Sequence, residues 1–299
     1  MESIEIQNFL TIRQARLEVR PFTILIGPQA SGKSIVAKLL FYFRDFLAKQ
    51  YILSILNQET KEQLELRAIA SFGQIFPKYA WSDQKFQIKY RIDDTTILIS
   101  HQGRSTKKSG IKFDYSQNLV ELHRKAKDRH KRKLEESKAT GGHLERELES
   151  FGEVLREYIL ETPIGHHFHH SIFIPASRSF FANLQKNVFS LLALSIDVDS
   201  LTKEFGAVYE ESKPIYDCPI ISEDRICLRH YEEMKQEIEE MLAGQYVYED
   251  GQDWIVSGKR KINLAHASSG QQEALPLLVV LLARFQYGTR GGSLRTVFY

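Results

Sequence analysis

Alternating and continuous apolar runs at the start of the chain predict a sheet. Ile4, Ile6 and Phe9 alternate with polar residues, and residues 15–19 can return as a second strand. The apolar run over residues 22–26 predicts a third, buried strand. The chain is therefore expected to open on three strands.

The pattern then changes to a helical period, back to short strands, and again to helices. Residues 33–56 are apolar around most of a helical circumference, which predicts a buried helix. Three β-rich runs at 86–90, 96–100 and 111–115 are separated by turn signals, which predicts an antiparallel meander. Residues 118–161 are dense in charge and are broken at Gly141-Gly142, which predicts a helical hairpin.

The second half of the chain continues this alternation of strands and helices. Its predicted elements are a buried strand at 171–175, mostly helical sequence over 180–243, a hairpin of strands 245–249 and 254–264, an apolar helix at 273–285 and a further strand from 294. The predicted fold class is α/β, with a mixed sheet, an antiparallel β meander and coiled-coil-like helical insertions at about 118–161 and 180–243.

Composition excludes several classes of protein. The chain has 299 residues, is 42% hydrophobic and carries a formal net charge of +2, so no overall field indicates a nucleic-acid or membrane partner. Cys218 and Cys227 lack a CxxC spacing, which argues against a disulfide framework or a structural zinc site. Neither a signal peptide nor an apolar run of about 18 to 20 residues is present in the sequence, so we expect a cytoplasmic protein without a membrane partner.

The strongest chemical signal follows the run at 22–26, where the sequence reads GPQASGKS and continues into a helical pattern. Gly-x-x-x-x-Gly-Lys-Ser between a strand and a helix is typical of a P-loop that binds nucleotide phosphates. Lys33 would reach the β- and γ-phosphates and stabilise transferred charge, and the Ser34 hydroxyl would ligate Mg²⁺. The predicted ATP-binding residues are Gly27, Pro28, Gln29, Ala30, Ser31, Gly32, Lys33, Ser34 and Ile35.

A second motif, ASSGQQE, lies at residues 267–273 between the predicted hairpin and an apolar helix. A helix N-terminus with small residues attracts anions, so Ser268, Ser269, Gly270 and Gln271 are candidates to contact a phosphate. The same letters also form a good N-cap with a capping box. The motif alone leaves both interpretations open.

The order of these motifs and elements resembles the ABC-type ATPase heads of the SMC, RecF and OLD group. More narrowly, the chain is similar to bacterial AAA-family ATPases with an OLD-like head, which are often found in anti-phage defence modules. The resemblance implies one head over residues 1–299, with GPQASGKS as Walker A and a signature hairpin and helix at 245–287. SSGQQE then replaces the LSGGQ signature, with Ser268, Gly270 and Gln271 on its Ser, second Gly and Gln. The strand SIFIPASRS resembles the one that ends in the Q-loop, with Ser177 or Arg178 where a Gln would stand.

The resemblance also implies a mechanism and a missing part. In such heads, ATP held by one subunit's P-loop is capped by the other subunit's signature, so a two-fold homodimer is expected. Binding and hydrolysis would then control DNA or a partner effector, in phage defence or DNA repair. Family members continue into a strand with Walker B acids, whereas this sequence stops at LRTVFY. We therefore expect a chain truncated before Walker B that hydrolyses ATP poorly.

Other interpretations remain beside this one. A nucleotide-dependent scaffold that does not turn over ATP is the main alternative, and a small-molecule P-loop kinase is disfavoured by the long charged insertions. The histidines 166, 167, 169 and 170 suggest a metal less well than a polar loop. The basic run at 123–133 suggests a solvated helix face more than a nucleic-acid surface.

Overall fold

The computed structural model describes residues 1–103, 110–140, 158–159, 161–162, 165, 168, 171–184, 198–217, 225–288 and 295–298. The chain divides into two compact units, Met1–Ser171 and Ile172–Tyr299. Within the described residues the fold is a mixed α/β one with antiparallel sheets and several helices. None of the helices described is both long enough and apolar enough to cross a membrane.

A five-stranded antiparallel sheet organises the first unit, with strand order β2-β1-β3-β4-β5. The strands are β1 (Glu2–Phe9), β2 (Ile12–Val19), β3 (Lys85–Ile92), β4 (Thr95–Gln102) and β5 (Ile111–Tyr115). On the central strand β3, Ile88 and Tyr90 are fully buried while Gln87 is exposed. This period of two confirms the first two predicted strands and the meander.

Helices cover the buried face of this sheet. They are α1 (Lys33–Asp45), a π-helical segment (Phe46–Tyr51), α2 (Ile52–Leu56), α3 (Lys61–Ile75) and α4 (Gln117–Thr140), with a short 3-10 turn at Lys78–Ala80. The Phe43 ring stacks on Tyr90 of β3 with centroids 4.8 Å apart, and Phe72 lies 5.7 Å from Phe9 of β1. The predicted buried helix at 33–56 is thus confirmed, although a π-helical segment interrupts its α-helical geometry.

The helix α4 confirms the first arm of the predicted helical hairpin. Its apolar residues Leu119, Leu122 and Ala126 are buried, while Arg124 and Lys125 are exposed. The basic run therefore includes a solvated face, as its interleaved acids suggested. Most of the predicted second arm lies outside the described residues, and so do the histidines 166, 167, 169 and 170.

The predicted buried strand at residues 22–26 is wrong. Phe22, Ile24 and Ile26 are 83%, 65% and 92% exposed, and no strand in the described residues pairs with this segment. An apolar run indicates a preference for burial. A strand forms only where a neighbouring strand exchanges backbone hydrogen bonds with it. After β2 the chain instead makes a local turn, in which Thr23 Oγ1 donates to Arg20 O and accepts from Arg20 N.

A buried ion pair joins α1 to the sheet of the first unit. Arg44 Nε and Nη2 each donate to the carboxylate of Glu2 at 2.9 Å, and Tyr90 OH donates to the same carboxylate at 2.8 Å. The side chains of Arg44 and Glu2 are only 10% and 6% exposed. Two parallel hydrogen bonds fix the direction of both side chains, so the last turn of α1 is held against β1.

The second unit contains two small sheets. The strand β6 (Ser171–Ile174) pairs with β10 (Arg295–Phe298), and β7 (Gln245–Glu249), β8 (Gln252–Ser257) and β9 (Arg260–Asn263) form an antiparallel meander. The predicted strands at 171–175 and from 294 are confirmed. The predicted strand at 254–264 is wrong as a single element, because Gly258 adopts φ 59° and reverses the chain within it.

Helices complete the second unit. They are α5 (Ser179–Leu184), α6 (Ser200–Asp217), α7 (Arg225–Leu242) and α8 (Ser269–Gly288), with a 3-10 turn at Leu264–His266. The apolar residues of α8 form much of the core, including Leu275, Val279 and Leu282, all fully buried. The mostly helical character predicted for 180–243 is confirmed where the structure describes that part of the chain.

We expect Arg44→Met to lower the free energy of unfolding of the first unit by about 3 to 5 kcal/mol, because it leaves the Glu2 carboxylate buried without its cation. Urea denaturation followed by circular dichroism measures this loss. The matched control is Arg16→Met, which removes an exposed pair with Glu5 at 3.5 Å. That control should cost less than about 1 kcal/mol, and equal losses in the two variants would contradict the prediction.

A buried histidine predicts a pH dependence of stability. His123 Nε2 lies 2.9 Å from Ser54 Oγ, whose own hydrogen is donated to Tyr51 O. Burial lowers the pKa of His123 below its ordinary value, the Lys127 ammonium lowers it further, and Glu59 opposes them. The neutral ring is therefore the one that the folded chain favours.

The free energy of unfolding should be greatest above the unfolded-state pKa of about 6.5 and should fall as pH drops from there toward the lower folded-state pKa. His123→Gln keeps an amide donor for Ser54 but does not titrate, so the loss between about pH 7 and about pH 5 should shrink. Urea denaturation across that range tests this. Identical pH profiles for the two proteins would rule out His123 as a source of the dependence.

Candidate functional site

The residues of the predicted P-loop lie in the turn at residues 27–32 and in the start of α1. Gly32 directly precedes α1 and adopts φ 92° and ψ 8°, in the left-handed region that favours glycine. A Cβ at this position would lie 2.6 Å from Ile12 Cγ1 on β2. The loop therefore closes against the first hairpin of the sheet in a way that only glycine permits.

The first turn of α1 receives no side-chain cap from its N-cap residue, Gly32. Val36 N donates to Gly32 O at 3.1 Å, but Gly32 offers no side-chain acceptor to the first turn. By contrast, α3 begins with a capping box in which Thr60 and Gln63 exchange hydrogen bonds. The uncapped N–H groups and the helix dipole of α1 together favour an anion at this end of the helix.

Lys33 is held over the loop by backbone acceptors. Its ammonium donates to Gly27 O at 2.8 Å and Pro28 O at 2.6 Å, and lies 3.3 Å from Ser31 Oγ. These acceptors hold the ammonium against the first residues of the loop. Phosphate oxygens are stronger acceptors for an ammonium than neutral carbonyls, so an anion here would recruit Lys33.

The remaining predicted P-loop residues lie around this centre. Pro28, Gln29 and Ala30 are exposed, and Ala30 adopts a positive φ of 61° in the turn. Ser34 and Ile35 follow Lys33 in the first turn of α1 and are half-buried. The structure thus places every predicted residue of the motif in one continuous loop and helix start.

An open cleft of about 550 Å³ lies beside the P-loop. Its lining combines one end of the loop, the exposed segment after β2, and β2 itself: Thr11, Ile12, Arg13, Gln14, Ala15, Leu17, Ile24, Leu25, Ile26, Ser31, Gly32, Lys33 and Val36. The sequence did not identify the β2 side of the cleft, because those residues belong to no motif. Its lining is part polar and part apolar, and it includes the two cations Arg13 and Lys33.

The second motif opens α8, and its first residues form the capping box that the sequence allowed. Gln271 N donates to Ser268 Oγ at 3.3 Å, and Ser268 N donates to Gln271 Oε1 at 3.1 Å. Ser268, Ser269 and Gly270 are exposed, and a Cβ on Gly270 would meet nothing within 4 Å. These three residues present an open surface at the start of the helix.

The two glutamines that follow bind neighbouring segments of the second unit. Gln271 Nε2 donates to Leu242 O at the end of α7 at 2.7 Å. Gln272 Nε2 donates to Leu264 O and Ala265 O in the 3-10 turn, both at 3.1 Å. The side-chain amide of Gln271, a predicted phosphate contact, is therefore already bonded to Ser268 and Leu242. These bonds fix the start of α8.

Glu273, which the sequence did not select as a site residue, accepts hydrogen bonds from the main chain of another segment. Its carboxylate accepts from Arg178 N and Ser179 N, each at 3.0 Å. Burial alone would raise the pKa of Glu273, but a hydrogen bond from the Ser179 side chain, the two main-chain bonds and the Arg178 charge outweigh it and lower the pKa below its ordinary value. No local pattern signals such a contact, since about 95 residues separate the partners.

No group of three or more histidine, cysteine, aspartate or glutamate side chains that could hold a metal ion occurs in the part of the chain that the structure describes.

The sequence model of the AAA ATPase domain family matches residues 1–291, a span that includes both the P-loop and the second motif. No curated protein matches the chain significantly.

Gly32→Ala should lower the affinity for ATP by about tenfold or more, because the left-handed backbone disfavours any Cβ and this one would collide with Ile12. Isothermal titration calorimetry measures the affinity. Gly73→Ala is the matched control, since Gly73 lies inside α3 with open space around it. The control should bind ATP normally, and a Gly32→Ala protein that did so too would refute the steric argument.

Proposed function

Because the chain belongs to the AAA ATPase domain family, we propose that ATP with Mg²⁺ binds at residues 27–35 and that ATP binding drives two copies to pair through the exposed start of α8. The proposal takes the chain as an ABC-type head, in which the second motif acts as the signature. AAA ATPase domains generally bind ATP with Mg²⁺. The observation that carries the proposal is the uncapped start of α1 beneath Gly32 and Lys33.

The residues present suit a nucleoside triphosphate. Gly32 lets the loop close against Ile12 where a Cβ would collide, the first turn of α1 has no side-chain cap from Gly32, and Lys33 follows directly. The adjoining cleft of about 550 Å³ lies in the volume range of small-molecule sites, so it suits the base and ribose. Ile12 and Leu17 would offer apolar contact there, and Arg13 a cation.

Each of these residues has a defined task in phosphate chemistry. Lys33 would leave the loop carbonyls to neutralise charge on the β- and γ-phosphates, and the N–H groups of α1 would orient the same oxygens. Ser34 would ligate Mg²⁺, which supplies further positive charge when bound. Positioning and charge stabilisation of this kind are the main catalytic contributions a protein makes to phosphoryl transfer.

The exposed start of α8 supports the proposed pairing. Ser268, Ser269 and Gly270 form a surface of small residues, and their N–H groups and hydroxyls could approach an anion on a second copy closely. In this arrangement the γ-phosphate contributes contacts only in the paired state, so ATP shifts the equilibrium toward pairs. The helical insertions would carry that change to DNA or to an effector protein, in phage defence or in DNA repair within the cytoplasm.

The test compares two variants in two assays. Lys33→Ala should lose most ATP affinity, because it removes the cation nearest the phosphates. Ser269→Arg should bind ATP like the unmodified chain but fail to form ATP-dependent pairs, because a long side chain would block close approach. Calorimetry measures affinity, and analytical ultracentrifugation with ATP or ADP measures pairing.

Lys259→Ala is the control, since Lys259 lies on an exposed turn in the β8–β9 hairpin. Unchanged ATP affinity in Lys33→Ala would remove the P-loop assignment, and pairing that ignores ATP would remove the pairing mechanism. Phosphate release measured on the same samples distinguishes an ATPase from the alternative of a scaffold that binds ATP without turnover.

A further inference from the structure

Glu273 and Arg178 hold each other's main chain. The Glu273 carboxylate accepts from the N–H groups of Arg178 and Ser179, at the start of α5. In return, Arg178 Nε donates to Glu273 O at 2.8 Å, while its Nη1 donates to Pro175 O at 2.9 Å. Because each side chain binds the backbone of the other segment, neither segment can shift alone without losing several hydrogen bonds.

The charges strengthen this contact. Arg178 Nη2 lies 3.8 Å from Glu273 Oε2, and the two side chains are 18% and 34% exposed. Hydrogen bonds to a charged acceptor are about twice as strong as neutral ones. The ionised carboxylate of Glu273 thus accepts two main-chain hydrogen bonds, and the Arg178 guanidinium adds an ion-pair contact at 3.8 Å.

The position of Glu273 connects this contact to the proposed signature. Glu273 lies four residues after Ser269 and three after Gly270, so one turn of α8 carries both the exposed surface and the carboxylate. The other segment, residues 175–179, begins directly after β6. A rigid turn of helix thus lies between the exposed residues and the end of that strand.

We propose that Glu273 and Arg178 are positioning residues that lock residues 175–179 to the first turn of α8, so that the end of β6 moves with the exposed surface Ser268, Ser269 and Gly270. This inference rests on the proposed function, since the surface matters as the site of ATP-driven pairing. It assigns to the last residue of the second motif a role in transmitting the pairing signal rather than in touching ATP.

Glu273→Gln is the sharpest variant, because it keeps the shape of the side chain but removes its charge and one of its two acceptor oxygens. The amide NH₂ would then face a backbone N–H that donates to Glu273 in the unmodified chain. Glu233→Gln on α7 is the matched control, since Glu233 is 59% exposed and pairs only with Arg229, which is 69% exposed, in the contacts described. Arg178→Lys keeps the charge but removes the forked geometry.

The first measurement is amide hydrogen exchange on the full chain without nucleotide. In Glu273→Gln, peptides covering 176–180 and peptides covering 268–272 should both exchange about tenfold faster or more, whereas peptides over 27–36 should not change. Arg178→Lys should accelerate the same two segments to a smaller extent. Faster exchange in only one of the two segments would overturn the proposed lock.

The second measurement is ATP-dependent pairing by analytical ultracentrifugation, beside ATP affinity by calorimetry. Glu273→Gln should weaken pairing about tenfold or more while ATP affinity stays within about twofold, and Glu233→Gln should change neither. A merely structural role would lower the melting temperature without this separation of pairing from affinity. Normal pairing by Glu273→Gln would therefore refute the transmitting role.

The two measurements separate the inference from the function on which it rests. If the unmodified chain binds ATP but never pairs, the proposed pairing fails and so does the transmitting role. Hydrogen exchange then still decides whether Glu273 and Arg178 lock the two segments.

Discussion

Backbone N–H groups at the start of a helix need acceptors, and the way each helix meets this need determines what its first turn can do. At α8 the need is met locally, by the capping box of Ser268 and Gln271. At α5 it is met by a carboxylate from a distant part of the chain, Glu273. At α1 Gly32 provides no side-chain cap. An anion is the acceptor that this last arrangement favours, and the proposed ATP site depends on it.

An uncapped helix start is useful only if it is held in place, and the first unit fixes α1 at both ends. At its start, Gly32 lies so close to Ile12 that the loop follows the first hairpin of the sheet. The turn of that hairpin is in turn braced by Gln84, whose amide bonds to both the N–H and the carbonyl of Leu10. At its end, Arg44 is held by the buried carboxylate of Glu2. Such preorganisation lowers the ordering cost of binding a phosphate.

Sequence patterns predicted helices and strands well wherever the contacts that determine them are local. The period of β1 and β3, the capping signals of α8 and the glycine spacing of the P-loop are properties of a few adjacent residues. The exposed run at 22–26 shows the limit of local patterns. Its apolar residues indicate a preference for burial, but they do not reveal whether a neighbouring strand is present to pair with it. Glu273 shows the same limit for the site, since the partners of its carboxylate are remote in sequence.

The helical period also explains why the second motif has an exposed first half, residues 268–270, and a second half, residues 271–273, whose side chains bind other segments. Successive residues on a helix point about 100° apart, so Gln271, Gln272 and Glu273 cannot share one face. They reach the end of α7, the 3-10 turn and the start of α5, respectively. Only the residues before them remain at the open surface. The first turn of α8 is therefore tied to three neighbouring segments through three adjacent side chains.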